Sequence, residues 1–110
     1  MAGALTRGEV RLARVPAPDK TRPVLVLTRT SALRFLSRIT VAPITSTIRE
    51  IPTEVRLDEA DGMKAPCVVN LDHVVTIPRD AVGRLVATLT PARMREVCGA
   101  LAFAVECDDP

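Results

Sequence analysis

Aromatic side chains are almost missing from this chain: it has no Trp or Tyr, and only Phe35 and Phe103 among 110 residues. Its core must therefore be filled by Val, Leu, Ile and Ala, the bulk of an apolar content of 47%. β-Branched aliphatic side chains pack well on a pleated surface, so the composition favours strands. A chain of this size buries roughly 65% of its unfolded surface, enough for one modest core. The nine prolines are dispersed and no internal repeat or low-complexity linker divides the sequence, so a single domain over residues 1–110 is expected. No apolar run approaches the roughly 18 residues of a membrane span. The start, MAGALTRGEV, lacks the apolar stretch of a signal peptide, and a cytoplasmic location without membrane contact is expected.

Hydrophobic patterning adds detail. Residues 8–15 alternate Val10 and Leu12, with Arg14 in the same phase, against Glu9, Arg11 and Ala13, the mark of a half-buried strand that Pro16 and Pro18 end. Residues 24–28 (VLVLT) form the continuous apolar run of a strand buried on both sides, with Pro23 at its entrance. Residues 30–36 suit two helical turns, with Thr30 or Ser31 as N-cap and Ala32, Leu33, Phe35 and Leu36 as the apolar positions. Residues 39–44 return to strand character, and Pro43 there implies an edge position or a bulge. Further strands are expected over 53–57, 67–70, 74–77 and 83–88. A final helix is expected after the N-cap Thr90 and Pro91, with Met94, Val97, Cys98, Leu101 and Ala102 facing the sheet. Six or seven short strands and two helices predict a mainly β chain, a strongly curved antiparallel barrel or half-barrel, since that geometry hides edges in a short chain.

The net charge of +2 conceals an asymmetry. Residues 1–38 hold eight basic groups against Glu9 and Asp19, whereas residues 39–80 hold four against seven acidic groups. The first third is thus the candidate anion-binding face, the plainer alternative being a solvated charged surface. Thirteen of the fifteen cations are Arg, whose planar fork suits phosphate. Cys67, Cys98 and Cys107 include no CxxC pair and His73 is the only histidine, so the sequence offers no metal or cofactor site and the thiols are expected to be reduced.

The order of segments is informative. RGEV at 7–10, KTRPVLVLT at 20–28, PITS at 43–46 and NLDHVVTIP at 70–78 together resemble the MazF/PemK toxins, over residues 6–104. The resemblance implies an SH3-like barrel of the MazF/CcdB type with a C-terminal helix, paired as a homodimer. It also implies metal-independent endoribonuclease activity on single-stranded RNA, sequence-specific and blocked by a small acidic, MazE-like antitoxin. Arg22, which precedes Pro-Val in the second strand, falls on the family's catalytic arginine, and Thr45 on its hydroxyl partner. Without the resemblance, Arg22 reads as a surface arginine at a turn and Thr45 as a strand-end residue capping its own loop.

Those residue types suit the chemistry. When a ribose 2′-hydroxyl attacks the adjacent phosphate, negative charge builds on the non-bridging oxygens, and a guanidinium with a hydroxyl donor stabilises it. A guanidinium is a poor base near neutral pH, so charge stabilisation outweighs proton transfer as its role. A 2′,3′-cyclic phosphate and a 5′-hydroxyl are the implied products. Lys20 is a candidate for phosphate contact, and Ser46 and Asn70 for base reading. Histidine is the residue type suited to proton transfer at neutral pH, so His73 could contact RNA, move a proton or be structural. Asp72-His73 departs from a Glu-Gln pair common among relatives, Arg11 from an aromatic residue, and the short VPAPDK turn from a longer Gly-rich loop. With so few aromatics, RNA recognition must lean on hydrogen bonds and Arg planes rather than base stacking. The competing readings are a toxin of the same architecture that grips DNA gyrase, as CcdB does, and an inactive nucleic-acid-binding regulator.

Overall fold

The computed structural model describes residues 4–15 and 20–107. Of the turn that composition suggests over 17–23 (APDKTRP), residues 17–19 lie outside the described residues, as do 16 and 108–110, whereas Lys20–Pro23 belong to a strand. Seven strands and two helices follow in the order β1 (Glu9–Val15), β2 (Lys20–Val26), α1 (Thr30–Leu33), β3 (Arg38–Thr45), β4 (Glu54–Leu57), β5 (Cys67–Asn70), β6 (Val75–Pro78), β7 (Val82–Thr88) and α2 (Pro91–Ala104). All pairings are antiparallel, in the order β4-β5-β3-β2-β1-β7 with β6 added to β3. The expected mainly β architecture with a C-terminal helix is the one found. Among the described residues β4 and β7 do not pair, so the sheet is not closed.

β3 is the pivot. Its first half, Arg38 to Val41, pairs with β6, and its last two residues, Ile44 and Thr45, pair with β5. Ala42 and Pro43 fall between these partners. Pro43 was expected at an edge or a bulge, yet β3 is central and Pro43 still faces Val24 of β2. Backbone pairing does give way there: a residue without an N–H is tolerated where the strand changes partners. Pro23 likewise lies inside β2 rather than at its entrance, one residue before β3 begins to pair with β2.

Both faces of the sheet are packed, which corrects the half-buried reading of β1. On one face Val10, Leu25, Ala42, Ile44, Val55, Leu57 and Val69 meet Met94, Val97 and Ala100 of α2. On the other, Ala13, Val15, Val24, Val26, Ile39 and Val41 meet Leu5, Leu33, Ile77 and Val82. Alternate residues of a strand therefore enter different cores. Both phenylalanines are exposed, Phe35 at 73% and Phe103 at 61%, so the core is aliphatic throughout.

The helices depart from expectation in detail. α1 is one turn, not two, and its N-cap is Arg29 without a side-chain bond, because Thr30 Oγ1 accepts the Arg7 amide instead. In α2 Thr90 caps as expected, accepting from the Arg93 amide. Ala100 takes the buried place expected for Cys98, which is exposed. Three short 3-10 turns, Glu59–Asp61, Leu71–His73 and Arg79–Ala81, carry no periodic signal and were not anticipated. No helix among the described residues is long and apolar enough to cross a membrane.

Candidate active site

The face that carries the second core runs out of cover beyond Val24 on β2 and Val41 on β3. The next residues of the same parity are Arg22 on β2 and Pro43 and Thr45 on β3. The β2–β3 pairing ends at Val24 opposite Pro43, and the same antiparallel register carried on sets Arg22 across from Thr45 on one face. Asn70 of β5 and its partner Glu54 of β4 continue this face. The site is thus the uncovered extension of a packed sheet face, which gives its side chains a rigid base.

Arg22 and Thr45 line two depressions and form the wall they share. The larger is an open cleft of about 740 Å³ that also receives Lys20, Ser46, Lys64 and Arg84. Among the described residues four cations and no carboxylate line it, over apolar side chains such as Met63, Leu85 and Val86. The smaller cavity, about 160 Å³, is polar and mixed in charge, with Thr47, Arg49, Glu54, Asn70 and His73. All six residues singled out in the sequence therefore reach one place, Lys20 and Ser46 on the cationic side and Asn70 and His73 on the other.

Their bonding states differ. Arg22 is half-buried, and its Nε is enclosed with no hydrogen-bond partner among the described residues. Thr45 Oγ1 accepts the Thr47 amide at 3.2 Å. The loop-capping alternative for Thr45 is therefore true as far as it goes. An oxygen used as an acceptor still leaves the hydroxyl proton to donate elsewhere, so capping orients Thr45 without exhausting it. Asn70 is buried and committed to its own turn: Oδ1 accepts the Asp72 amide at 2.9 Å and Nδ2 meets His73 Nδ1 at 3.3 Å. With the amide so oriented, neutral His73 accepts at Nδ1 and carries its proton on Nε2.

Several lining residues had no sequence signal. Lys64 and Arg84 lie far from the basic first third, in a turn and on β7, and only the fold brings them to the cleft. Conversely, Arg7, Arg11 and Arg38 of the basic third spend their guanidinium groups on structure, bonding Leu27 O, Glu9 with Gly83 O, and Thr76 O respectively. Arg11, thought to bear on recognition, is 8% exposed and braces β1 to β7. Glu54, in the T-E-V strand at 53–55, was given no role in the site from the sequence. Its Oε1 accepts the Arg49 and Glu50 amides at 2.9 and 3.1 Å, while Oε2 is buried and unbonded.

Cys67 lies at the floor of the cleft, where burial pushes its thiol above the usual range and the Asp61 and Asp58 carboxylates add to the shift. It stays protonated and is no nucleophile. Among the described residues no three or more His, Cys, Asp or Glu side chains gather as a metal site.

An open seven-stranded antiparallel sheet backed by a C-terminal helix thus places an arginine and a threonine between a cationic cleft and a polar cavity. Residues 6–105 match the family of PemK-like, MazF-like toxins of type II toxin-antitoxin systems, and the chain belongs to that family. It is 40% identical to the endoribonuclease MazF3 of Mycobacterium tuberculosis over 82% of this chain and 87% of the relative. Among solved structures, the M. tuberculosis toxin MazF-mt6 superposes with a TM-score of 0.83 at 37% identity, covering 89% of this chain and 96% of that one. A mycobacterial endoribonuclease in complex with its cognate antitoxin also gives 0.83, at 28% identity over 94% and 96% of the two chains.

Proposed function

We propose that this protein is a sequence-specific, metal-independent endoribonuclease, the toxin of a type II toxin-antitoxin pair, that cleaves single-stranded RNA in the cytoplasm as a homodimer. The observation that carries the reading is the position of Arg22 and Thr45 across adjacent strands, on the wall between a cleft suited to phosphates and a cavity suited to polar base edges. The scissile phosphate sits at that wall. The ribose 2′-oxygen attacks phosphorus, the bond to the 5′-oxygen breaks, and a 2′,3′-cyclic phosphate and a 5′-hydroxyl result. Arg22 and the Thr45 hydroxyl donate to the non-bridging oxygens as their charge grows, which lowers the barrier more than it tightens ground-state binding. Lys20 holds a flanking phosphate, Ser46 and His73 contact RNA beside the wall, and Asn70, whose Oδ1 is already taken, meets RNA through the second hydrogen of Nδ2.

A small antitoxin with an acidic segment would satisfy the same cations and block the cleft by charge complementarity. The relatives are named as endoribonucleases, which favours this reading over a toxin that grips gyrase. Incubation of the purified protein with a mixed-sequence RNA, with the new ends mapped, tests it. Cuts at a recurring short sequence in the presence of EDTA, lost in Arg22→Ala and Thr45→Ala, support the proposal. Binding without cuts would instead make the protein an inactive regulator.

A further inference from the structure

A carboxylate beside an arginine that must hold phosphate weakens the local positive potential, so Glu54 in the wall cavity calls for an explanation. Among the described residues it is the only acidic one lining that cavity. Its two oxygens are treated differently. Oε1 accepts two backbone amides, from Arg49 and from Glu50, whose φ of 57° is a left-handed conformation that a non-glycine residue holds only when tied down. Oε2 is buried with no partner, an expensive state for a charged acceptor. The same cavity is lined by Arg22, whose Nε is equally buried and equally without a partner. Among the described residues neither side chain is ion-paired to the other, so one unsatisfied acceptor and one unsatisfied donor of opposite charge border a single small space.

We propose that Glu54 is a positioning residue for Arg22: its Oε2 takes the Arg22 Nε–H when RNA occupies the cleft, and so turns the two terminal nitrogens of the guanidinium onto the scissile phosphate. This rests on the assignment of Arg22 and Thr45 as the catalytic pair. Both orphaned atoms are enclosed, which suits them to each other rather than to a substrate group. The clasp on Oε1 fixes the carboxylate, so only the arginine has to move. A guanidinium bound through Nε presents its remaining edge as a two-pronged donor, the geometry a phosphate requires.

Glu54→Gln is the informative change. The side-chain amide keeps an oxygen for the Arg49 and Glu50 amides but places an N–H₂ where the free carboxylate oxygen was. Cleavage of a long transcript under single turnover, with enzyme in excess, should slow by roughly 10- to 100-fold, the scale of a misplaced catalytic group. The cut sequence should not change. Binding of a short oligonucleotide that spans a mapped cut site, with a 2′-deoxy residue at the scissile position, should hold or tighten, since a negative charge has been removed. Above all, the loss should disappear in an Arg22→Ala background, because Glu54 acts through Arg22.

A loss that multiplies with that of Arg22→Ala, a changed cut sequence, or an unchanged rate overturns the proposal. Glu54→Asp, which keeps the charge, is run through the same cycle, and whichever variant retains the wild-type melting temperature decides. An Arg22→Ala protein that cuts as fast as wild type would sink the catalytic assignment itself, a different outcome from failure of the Glu54 coupling.

Discussion

Two arginine–carboxylate clusters in this molecule use the same chemistry to opposite ends. Arg93 on α2 is saturated: Nε and Nη2 meet the two oxygens of Asp61 at 2.9 and 3.1 Å, and Nη1 meets Glu96 at 3.1 Å. Asp61 also closes a capping box with Asp58, and Gly62 follows with φ 94°, close against the Ala87 methyl. The cluster fastens to α2 the 3-10 turn that leads into Met63 and Lys64 of the cleft. Arg22 and Glu54, by contrast, each keep an enclosed atom unpaired. Saturation signals a strut, and withheld bonds at the mouth of a cleft signal a group waiting for a ligand.

The largest effect should come from breaking the unsaturated cluster. Arg22→Ala or Thr45→Ala should slow RNA cleavage by about 100- to 1,000-fold, the usual cost of one donor to a developing oxyanion. Melting temperature should stay level or rise for Arg22→Ala, because no native bond is lost with a guanidinium whose Nε had none. Rates from mapped-end assays beside thermal melts would test both halves, and a large drop in stability would place Arg22 with Arg93 as a strut.

Next in size is the response of RNA affinity to salt. Four phosphate contacts, from Lys20, Arg22, Lys64 and Arg84, with about 0.7 counterions released per contact on a single strand, imply about a 50-fold loss of affinity between 50 and 200 mM salt. Lys64→Ala and Arg84→Ala should each flatten that slope by about 0.7 without altering the cut sequence. Titration of a labelled, non-cleavable RNA across salt measures it, and a flat response would remove the cationic cleft from binding.

The saturated cluster should behave in reverse. Arg93→Ala leaves the enclosed Asp61 carboxylate without its charged partner, and about 1–3 kcal/mol of stability should go, while cleavage per folded molecule stays at the wild-type rate. The Arg93 hydrogen bond holds the Asp61 carboxyl below its usual range. A carboxyl depressed in the folded state contributes stability that is complete above the unfolded value, near pH 4, and is lost as pH falls through the folded value. Asp61→Asn should therefore flatten the acid side of the stability curve, as read by denaturant melts from pH 6 down to pH 2.

The smallest effect belongs to His73. Its Nδ1 is engaged by Asn70, so His73→Gln should cost under about tenfold in rate and leave the shape of the pH–rate profile unchanged. A lost limb near neutrality would instead make it a proton carrier.

Much of this arrangement was legible along the chain, and the parts that were not share a cause. Strand positions followed from aliphatic runs between prolines and turns, the α2 cap from Thr90-Pro91, and Arg22 and Thr45 from their places in KTRPVLVLT and PITS. Periodicity reports one face of one element at a time. It could not show that β1 is packed on both faces, that Pro43 marks a change of partner within a central strand, or that α2 turns Ala100 rather than Cys98 inward.

Charge was the most misleading signal, because proximity in sequence is not proximity in space. The chain by itself determined an aliphatic, mainly β fold, and its resemblance to the toxins pointed to Arg22 and Thr45. Only the tertiary structure decided which cations line the cleft and which brace strands, and it alone brought Glu54 to the cavity of Arg22. Side chains from β2, β3, β4 and β5 share a face only after register and strand order are fixed, and those depend on long-range packing that no local window contains.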